Sequence, residues 1–412
     1  MEEEEKKRRR SSSSRRPSSS SIVGGSPSSL SSNNNNSIEE ERMGKWAELP
    51  EDLLVLTAER LILLEDFLSF SGVCRSWRSV AINDNFKGSE QTPWLMLAKK
   101  DKPDDRQFIS LRKGGVIRTV NLPEARGKRC LESLGWLVTI SQDGDMNLLH
   151  PFTRVQINLP QVTKNYHLDS MKNHLSFIHK AVLSSRPEES NDFVLVVIYG
   201  CSRRLAFWRP EDKSWTAVNV GLISFCDINF YKGPCYGVTS NGMVLAFDVW
   251  GRNPTLAWHV GYGPREFIGH GGLKQPYIVQ SADVVLIVIR VFREACLSVF
   301  LEDDHFGFSN NGESRVYYAT CGFKVFEVGE CVEKTSLGDN ALFLGDNSSV
   351  SVVASRFRGI KSNCIYYTSN FKRGEGNDMC IYDMEDGNHR PCYEEESSSL
   401  TCPPIWVNPS SF

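Results

Sequence analysis

The feature that most constrains this chain is a weak repeat. From Thr92 onward, aromatic and β-branched residues alternate with polar ones at period two, punctuated by turn dipeptides such as Gly114-Gly115, Asp143-Gly144 and Asn241-Gly242. Within that texture Met146-Asn147-Leu148-Leu149, Arg204-Leu205-Ala206-Phe207, Val244-Leu245-Ala246-Phe247, Phe323-Lys324-Val325-Phe326 and Met379-Cys380-Ile381-Tyr382 each follow a strand and a turn. Each ends on a large apolar residue, and aligned there the copies are 58, 40, 79 and 56 residues apart. A unit at Val284 to Val291 divides the widest gap into two of about 40 residues, the length of a four-stranded propeller blade. A further unit fits at Phe108 to Leu122. The expectation is an all-β, propeller-like domain of six or seven blades over residues 92–406. A large β-sandwich or a pair of barrels is the other fold compatible with a repeat that lacks Trp-Asp and regular Gly-Gly marks.

Residues 43–88 have a different texture. Leu53, Leu54, Leu56, Leu61 and Leu64 recur on one side of a helical stretch that Glu51-Asp52 opens, since carboxylates suit a helix N-terminus. Val73, Cys74, Trp77 and Val80 continue an apolar stripe at three- and four-residue steps, with Arg75, Ser76, Arg78 and Ser79 facing away. Two or three short helices follow from this, too few to bury their own apolar surface. Leu49, Pro50, Leu53, Leu54, Leu68, Val73, Cys74 and Trp77 are therefore candidate contacts for a partner, or else for the β domain. The fold class expected is α+β multidomain, a small all-α module followed by the all-β propeller-like domain.

Residues 1–42 are low in complexity and cannot offset the entropy of ordering, so a disordered tail is expected. Its basic residues Lys6, Lys7, Arg8, Arg9, Arg10, Arg15 and Arg16 read either as a two-part nuclear import signal or as a solubilising charged tail. Nucleus and cytoplasm are the compartments expected.

Charge and motifs narrow the function classes. With 47 Lys plus Arg against 50 Asp plus Glu, no global field favours nucleic acid, which leaves a protein or a small molecule as the partner. Twelve cysteines are scattered with no His pair at helical spacing beside them, so reduced thiols, no metal and no cofactor are expected. Cys364, Cys380, Cys392 and Cys402 crowd the last repeat and read as small core residues. The longest apolar runs, Phe193 to Tyr199 and Val284 to Ile289, fit buried strands and fall short of the roughly 20 residues that span a bilayer, so a soluble chain is expected. Enzyme signatures are missing, and Asp143-Gly144-Asp145 and Asp303-Asp304-His305 read as turn residues.

Leu49-Pro50-Glu51-Asp52-Leu53-Leu54, the apolar stretch Leu61 to Leu68, and Ser71-Gly72-Val73-Cys74-Arg75-Ser76-Trp77-Arg78-Ser79-Val80 together resemble the F-box motif over residues 46–86. Thr57 with Ala58 stands where that motif usually carries a further aliphatic residue. The resemblance implies that Leu49, Pro50, Leu53, Leu54, Val73, Cys74 and Trp77 face a Skp-type adaptor, which in turn sits on a cullin. Pro93-Trp94-Leu95-Met96-Leu97 and the stretch from Asp143-Gly144 through His150-Pro151-Phe152 to Leu159-Pro160 are similar to the plant KIB-type F-box family, whose C-terminal domain is propeller-like. By resemblance the chain is a non-catalytic substrate receptor of an SCF-type ubiquitin ligase, raising the effective concentration of a protein target near the charged enzyme. An F-box scaffold or sequestering inhibitor that does not direct degradation fits the same motif.

Overall fold

The computed structural model describes residues 46–409 apart from 83–84, 89–90, 99–101, 113, 162–173, 222, 251–256, 265–273, 297–315, 330–331, 369–378 and 394–402. Three helices come first: α1 (Glu51–Glu59), α2 (Leu64–Ser71) and α3 (Arg75–Val80). Pro50 precedes α1, where its missing N–H costs nothing, and acidic residues occupy the first turns of α1 and α2.

The rest is β-structure in six sheets. β1 (Trp94–Ala98), β2 (Asp105–Ser110) and β3 (Gly115–Asn121) start the first. The second is β4 (Arg129–Ser133), β5 (Trp136–Ile140), β6 (Met146–Leu149) and β7 (Gln156–Leu159). The third is β8 (Ile178–Leu183), β9 (Leu195–Tyr199), β10 (Arg204–Trp208) and β11 (Thr216–Ala217), and the fourth is β12 (Phe225–Phe230), β13 (Cys235–Thr239), β14 (Met243–Phe247) and β15 (Ala257–Tyr262). The fifth holds β16 (Lys274–Ser281), β17 (Val284–Cys296), β18 (Val316–Glu327) and β19 (Glu333–Lys334). The sixth holds β20 (Asn340–Leu344), β21 (Ser349–Val353), β22 (Cys364–Tyr367), β23 (Cys380–Asp383) and β24 (His389–Pro391). The chain then returns as β25 (Ile405–Val407), which pairs with β1 and completes the first sheet in the order β25-β1-β2-β3.

Six apolar clusters alternate with the six sheets, which is the packing of a closed ring. Leu131, Val138 and Trp136 meet Ala181, Leu195 and Trp208 between the second and third sheets. Val196, Phe207, Phe225 and Phe247 fill the next space, then Val238, Ile278 and Ile287, then Val288, Val325, Leu342 and Tyr367. Phe343, Tyr366, Leu95 and Trp406 fill the space where the sixth sheet meets the first. Each fully buried side chain of this size contributes about 1.5–3 kcal/mol, so the ring is held mainly by what lies between its blades.

The propeller has six blades. The repeat ends Leu149, Phe207, Phe247 and Phe326 lie on β6, β10, β14 and β18, the third strand of each blade, and Tyr382 lies on β23. The unit expected at Val284 to Val291 is not a blade of its own. It is β17, the second strand of the blade that carries Phe326, paired with β18 over eleven residues. The wide spacing arises because these two strands are 13 and 12 residues long and a further segment lies between them. Phe108 to Leu122, in contrast, is a true blade, the β2–β3 pair of the first sheet.

The sixth blade departs from the others. Its second strand, β20, comes first in the chain, turns through residues 345–348 into the innermost strand β21, and lies parallel to β22 on its other side. The ends are tied where the termini of the ring meet: Trp406 Nε1 donates to Leu344 O, and Ser348 Oγ donates to Trp406 O.

The helices pack on the first blade. Leu54, Ala58, Leu64, Phe67, Phe70 and Val80 share one cluster with Trp94, Met96 and Phe108. Leu53 and Leu56, expected on the same side as Leu54 and Leu64, are exposed instead. A run of leucines at every one to three positions surrounds a helix rather than marking one stripe, and Leu54 and Ala58, four residues apart, take the buried face.

Candidate functional site

The helical module is fixed to the ring by polar contacts as well as apolar ones. Arg112, in the turn after β2, pairs with Glu65 and, at 2.6 Å, with Asp66, both in the first turn of α2. Gln91 accepts from Leu64 N at 2.8 Å and donates to Ile62 O at 2.9 Å. At Gly88 a β-carbon would lie 2.0 Å from Ile62 O, so the chain passes too close there for any side chain. Around α3, the Trp77 ring packs at a tilt with its centroid 4.6 Å from that of Phe70, and Trp77 Nε1 donates to Trp46 O. Cys74 lies against Ser76 Oγ, a contact that lowers its thiol pKa.

With one face so committed, the module's other face stays open. Among the described residues, six of the thirteen strongly exposed large apolar side chains, Trp46, Leu53, Leu56, Ile62, Val73 and Ile82, lie within 46–82. That concentration exceeds the scattered exposure normal for a surface and makes the module a candidate contact surface. Of the residues singled out for a partner, Leu53 and Val73 are 47% and 53% exposed and Pro50 is exposed. Leu49, Leu68, Cys74 and Trp77 are half-buried, and Leu54 is 1% exposed and belongs to the core. The basic residues Lys6 to Arg10, Arg15 and Arg16 lie outside the described residues.

A second candidate lies on the axis of the ring. Arg129, Lys180, Asp227 and Lys274 stand at or near the starts of the inner strands β4, β8, β12 and β16, and with Asp346 they line a cavity of about 160 Å³. Arg129 pairs with Asp346 and donates to Leu175 O and Ile178 O at 3.0 and 2.6 Å. Lys180 Nζ sits 2.7 Å from Asp227 Oδ1 and donates to Ser349 Oγ at 2.9 Å, and the Ser349 hydroxyl donates in turn to Asp227 Oδ2 at 3.0 Å. Deep in the ring such pairs are retained at a large desolvation cost, which their mutual attraction and added hydrogen bonds offset. Arg290 is held likewise by Thr320 Oγ1 and Thr368 O, both at 2.8 Å, under the ring of Tyr367.

The tip of the β20–β21 turn closes the channel below this cavity. Asn347 accepts from Ala181 N and donates to Ala181 O, both at 2.8 Å, and also donates to Glu132 O. A smaller cavity of about 70 Å³ lies beyond, where the inner strands end, and Lys180 lines both. There the Glu132 carboxylate accepts from Gly135 N and Asn408 N at 2.9 and 3.0 Å, and burial pushes its pKa up to about 7.

Strand directions place the two candidates at opposite ends. Asn408, just past β25, meets Glu132 at the end of β4, so both strands finish at the same end. β1 runs against β25 and β2 against β1, so the turn carrying Arg112 also lies at that end. The helical module is therefore attached at the end away from the 160 Å³ cavity.

The family model of the KIB1-4 beta-propeller matches residues 108–383. The chain belongs to this family. Among relatives, the F-box protein At2g17036 of Arabidopsis thaliana is 26% identical over 413 residues, covering 89% of this chain and 96% of its own length. The Arabidopsis F-box protein SKIP23 is 25% identical over 409 residues, with the same coverages of 89% and 96%. Against solved structures, a complex of KlAtg21 with the coiled-coil of AgAtg16 aligns over 59% of this chain and 81% of its own at 8% identity, with a TM-score of only 0.34.

Within this KIB-type member, the axial charges escaped the sequence reading. A readable signal existed: Arg129, Lys180 and Asp227 recur at about blade spacing near the start of strands that are otherwise largely buried. Of the carboxylates considered for chemistry, Asp143-Gly144-Asp145 forms a turn, with Gly144 at φ 85° and Asp145 N donating to Ser141 Oγ, while Asp303 to His305 lie outside the described residues. Burial raises the thiol pKa of Cys364 and pushes that of Cys392 up to about 12, which suits packing rather than reactivity. Among the described residues no three His, Cys, Asp or Glu converge to hold a metal.

Proposed function

We propose that this chain is the substrate-receptor subunit of an SCF-type ubiquitin ligase. In this reading the helical module binds a Skp-type adaptor and through it a cullin, and the propeller holds a protein target. The observation that carries it is the open apolar face with Leu53 and Val73, on a module whose opposite face is committed to the first blade. The F-box resemblance of residues 46–86 and the F-box names of the Arabidopsis relatives support the same reading. No bond is made or broken by this chain; its contribution is proximity, holding a target lysine near a charged enzyme. The tail residues Lys6 to Arg10, Arg15 and Arg16 act in this proposal as a nuclear import signal.

Co-purification from cells, scored by mass spectrometry, tests the proposal with the wild type, a Leu53→Asp, Val73→Asp double variant, and a Leu49→Ala, Pro50→Ala double variant. Adaptor and cullin should accompany the wild type and be lost from both variants, while other partners stay. Adaptor retained by the variants, or absent from the wild type, overturns the reading. A retained partner whose abundance rises when the gene is removed marks a degradation target; unchanged abundance with altered activity marks a sequestering scaffold.

A further inference from the structure

We propose that the axial cavity at the start of the inner strands binds a phosphate monoester. Among the described residues its lining carries four cations, Arg129, Lys180, Arg203 and Lys274, against two carboxylates, Asp227 and Asp346. The two carboxylates are already matched within the ring, by Arg129 and Lys180. A lining richer in cations than in carboxylates is of the sign that attracts a phosphate monoester, which carries about −1.5 to −2 near neutral pH.

Two side chains point to a ligand independently of the charge count. Arg203 pairs with no carboxylate among the described residues, and its Nε is shut from water without an acceptor. It stands in the β9–β10 turn at φ 50°, a conformation that side chains other than glycine adopt at a cost, fixed there by hydrogen bonds to Gly200 O and from Phe225 N. Tyr277, which also lines the cavity, is 1% exposed, yet its hydroxyl has no acceptor for its proton, since its neighbour Arg290 can only donate. A guanidinium, an ammonium and a phenol carried by residues that line one cavity suit three terminal oxygens on one atom. At about 160 Å³ the space admits such a head group and leaves the rest of the ligand outside the mouth. The monoester can come from a phosphorylated side chain of a protein or from a free phosphorylated small molecule.

The test uses the purified full chain without adaptor, so its outcome is separate from that of the ligase proposal. Inorganic phosphate, a phosphoserine peptide with its unphosphorylated twin, and glucose 6-phosphate are titrated by calorimetry at constant ionic strength. Saturable phosphate binding is expected, weakened at least about tenfold by Arg203→Glu and several-fold by Tyr277→Phe. Lys274→Gln, at the half-exposed rim, serves as a second charge-removing variant should Arg203→Glu fail to fold. Tighter binding of the phosphopeptide than of its twin and of inorganic phosphate identifies a protein source; tighter binding of the sugar phosphate identifies a small molecule. Absence of saturable phosphate binding to the wild type up to about 10 mM, or full affinity in folded Arg203→Glu or Lys274→Gln, overturns the proposal.

Discussion

Glu132 offers a quantitative check on the polar interior. Its carboxyl is 4% exposed and accepts two backbone hydrogen bonds, yet burial outweighs them and raises its pKa from 4.5 to about 7. The folded chain therefore holds this proton more tightly than the unfolded one. Stability from this source is greatest below pH 4.5, falls as pH rises, and is gone above about 7. The whole gap corresponds to about 3 kcal/mol, most of which falls between pH 5 and pH 8. Glu132→Gln keeps the acceptor oxygen and stays neutral throughout. Urea unfolding of both proteins at the two pH values isolates the effect, because every other titrating group cancels in the difference. The variant should gain about 2–3 kcal/mol on the wild type as pH goes from 5 to 8. A difference that stays flat to within about 0.5 kcal/mol refutes a carboxyl kept neutral by burial.

Three further outcomes follow from the packing. Leu54→Ala should cost about 2–5 kcal/mol, whereas Leu53→Ala one position away should stay within about 0.5 kcal/mol; urea midpoints compare them directly. Arg112→Ala leaves the Glu65 carboxylate buried and unpaired, at a cost of about 3–5 kcal/mol, and amide exchange in α1 and α2 should quicken while that of the fourth blade does not. Trp406→Ala should cost about 3–5 kcal/mol and lower the thermal midpoint of the whole propeller, since the residue spans the sixth-to-first blade contact.

The repeat was legible because third strands face the neighbouring blade on one side and must end in a bulky apolar residue. It misled at Val284 to Val291 because spacing alone cannot separate a new blade from one whose central strands are long. Leu53 and Leu54 show a different limit: both are leucine, and only the docked position of α1 decides which is core and which is surface. The axial cavity was harder still. Arg203 comes from one blade and Lys274 and Tyr277 from another, more than 70 residues on, and only the packing of blades around the axis brings them to one cavity.

That closure also bears on how the chain is made. β1 and its partner β25 are separated by almost the whole length of the ring, so a ribosome has made every other blade before the first blade can obtain its innermost strand. Until then the edge of β1 stays open to any passing strand, and the helices docked on that blade rest on an incomplete support. A message truncated before Ile405 would yield a product with every blade but one complete and an unsealed seam, a form that cellular quality control has reason to recognise.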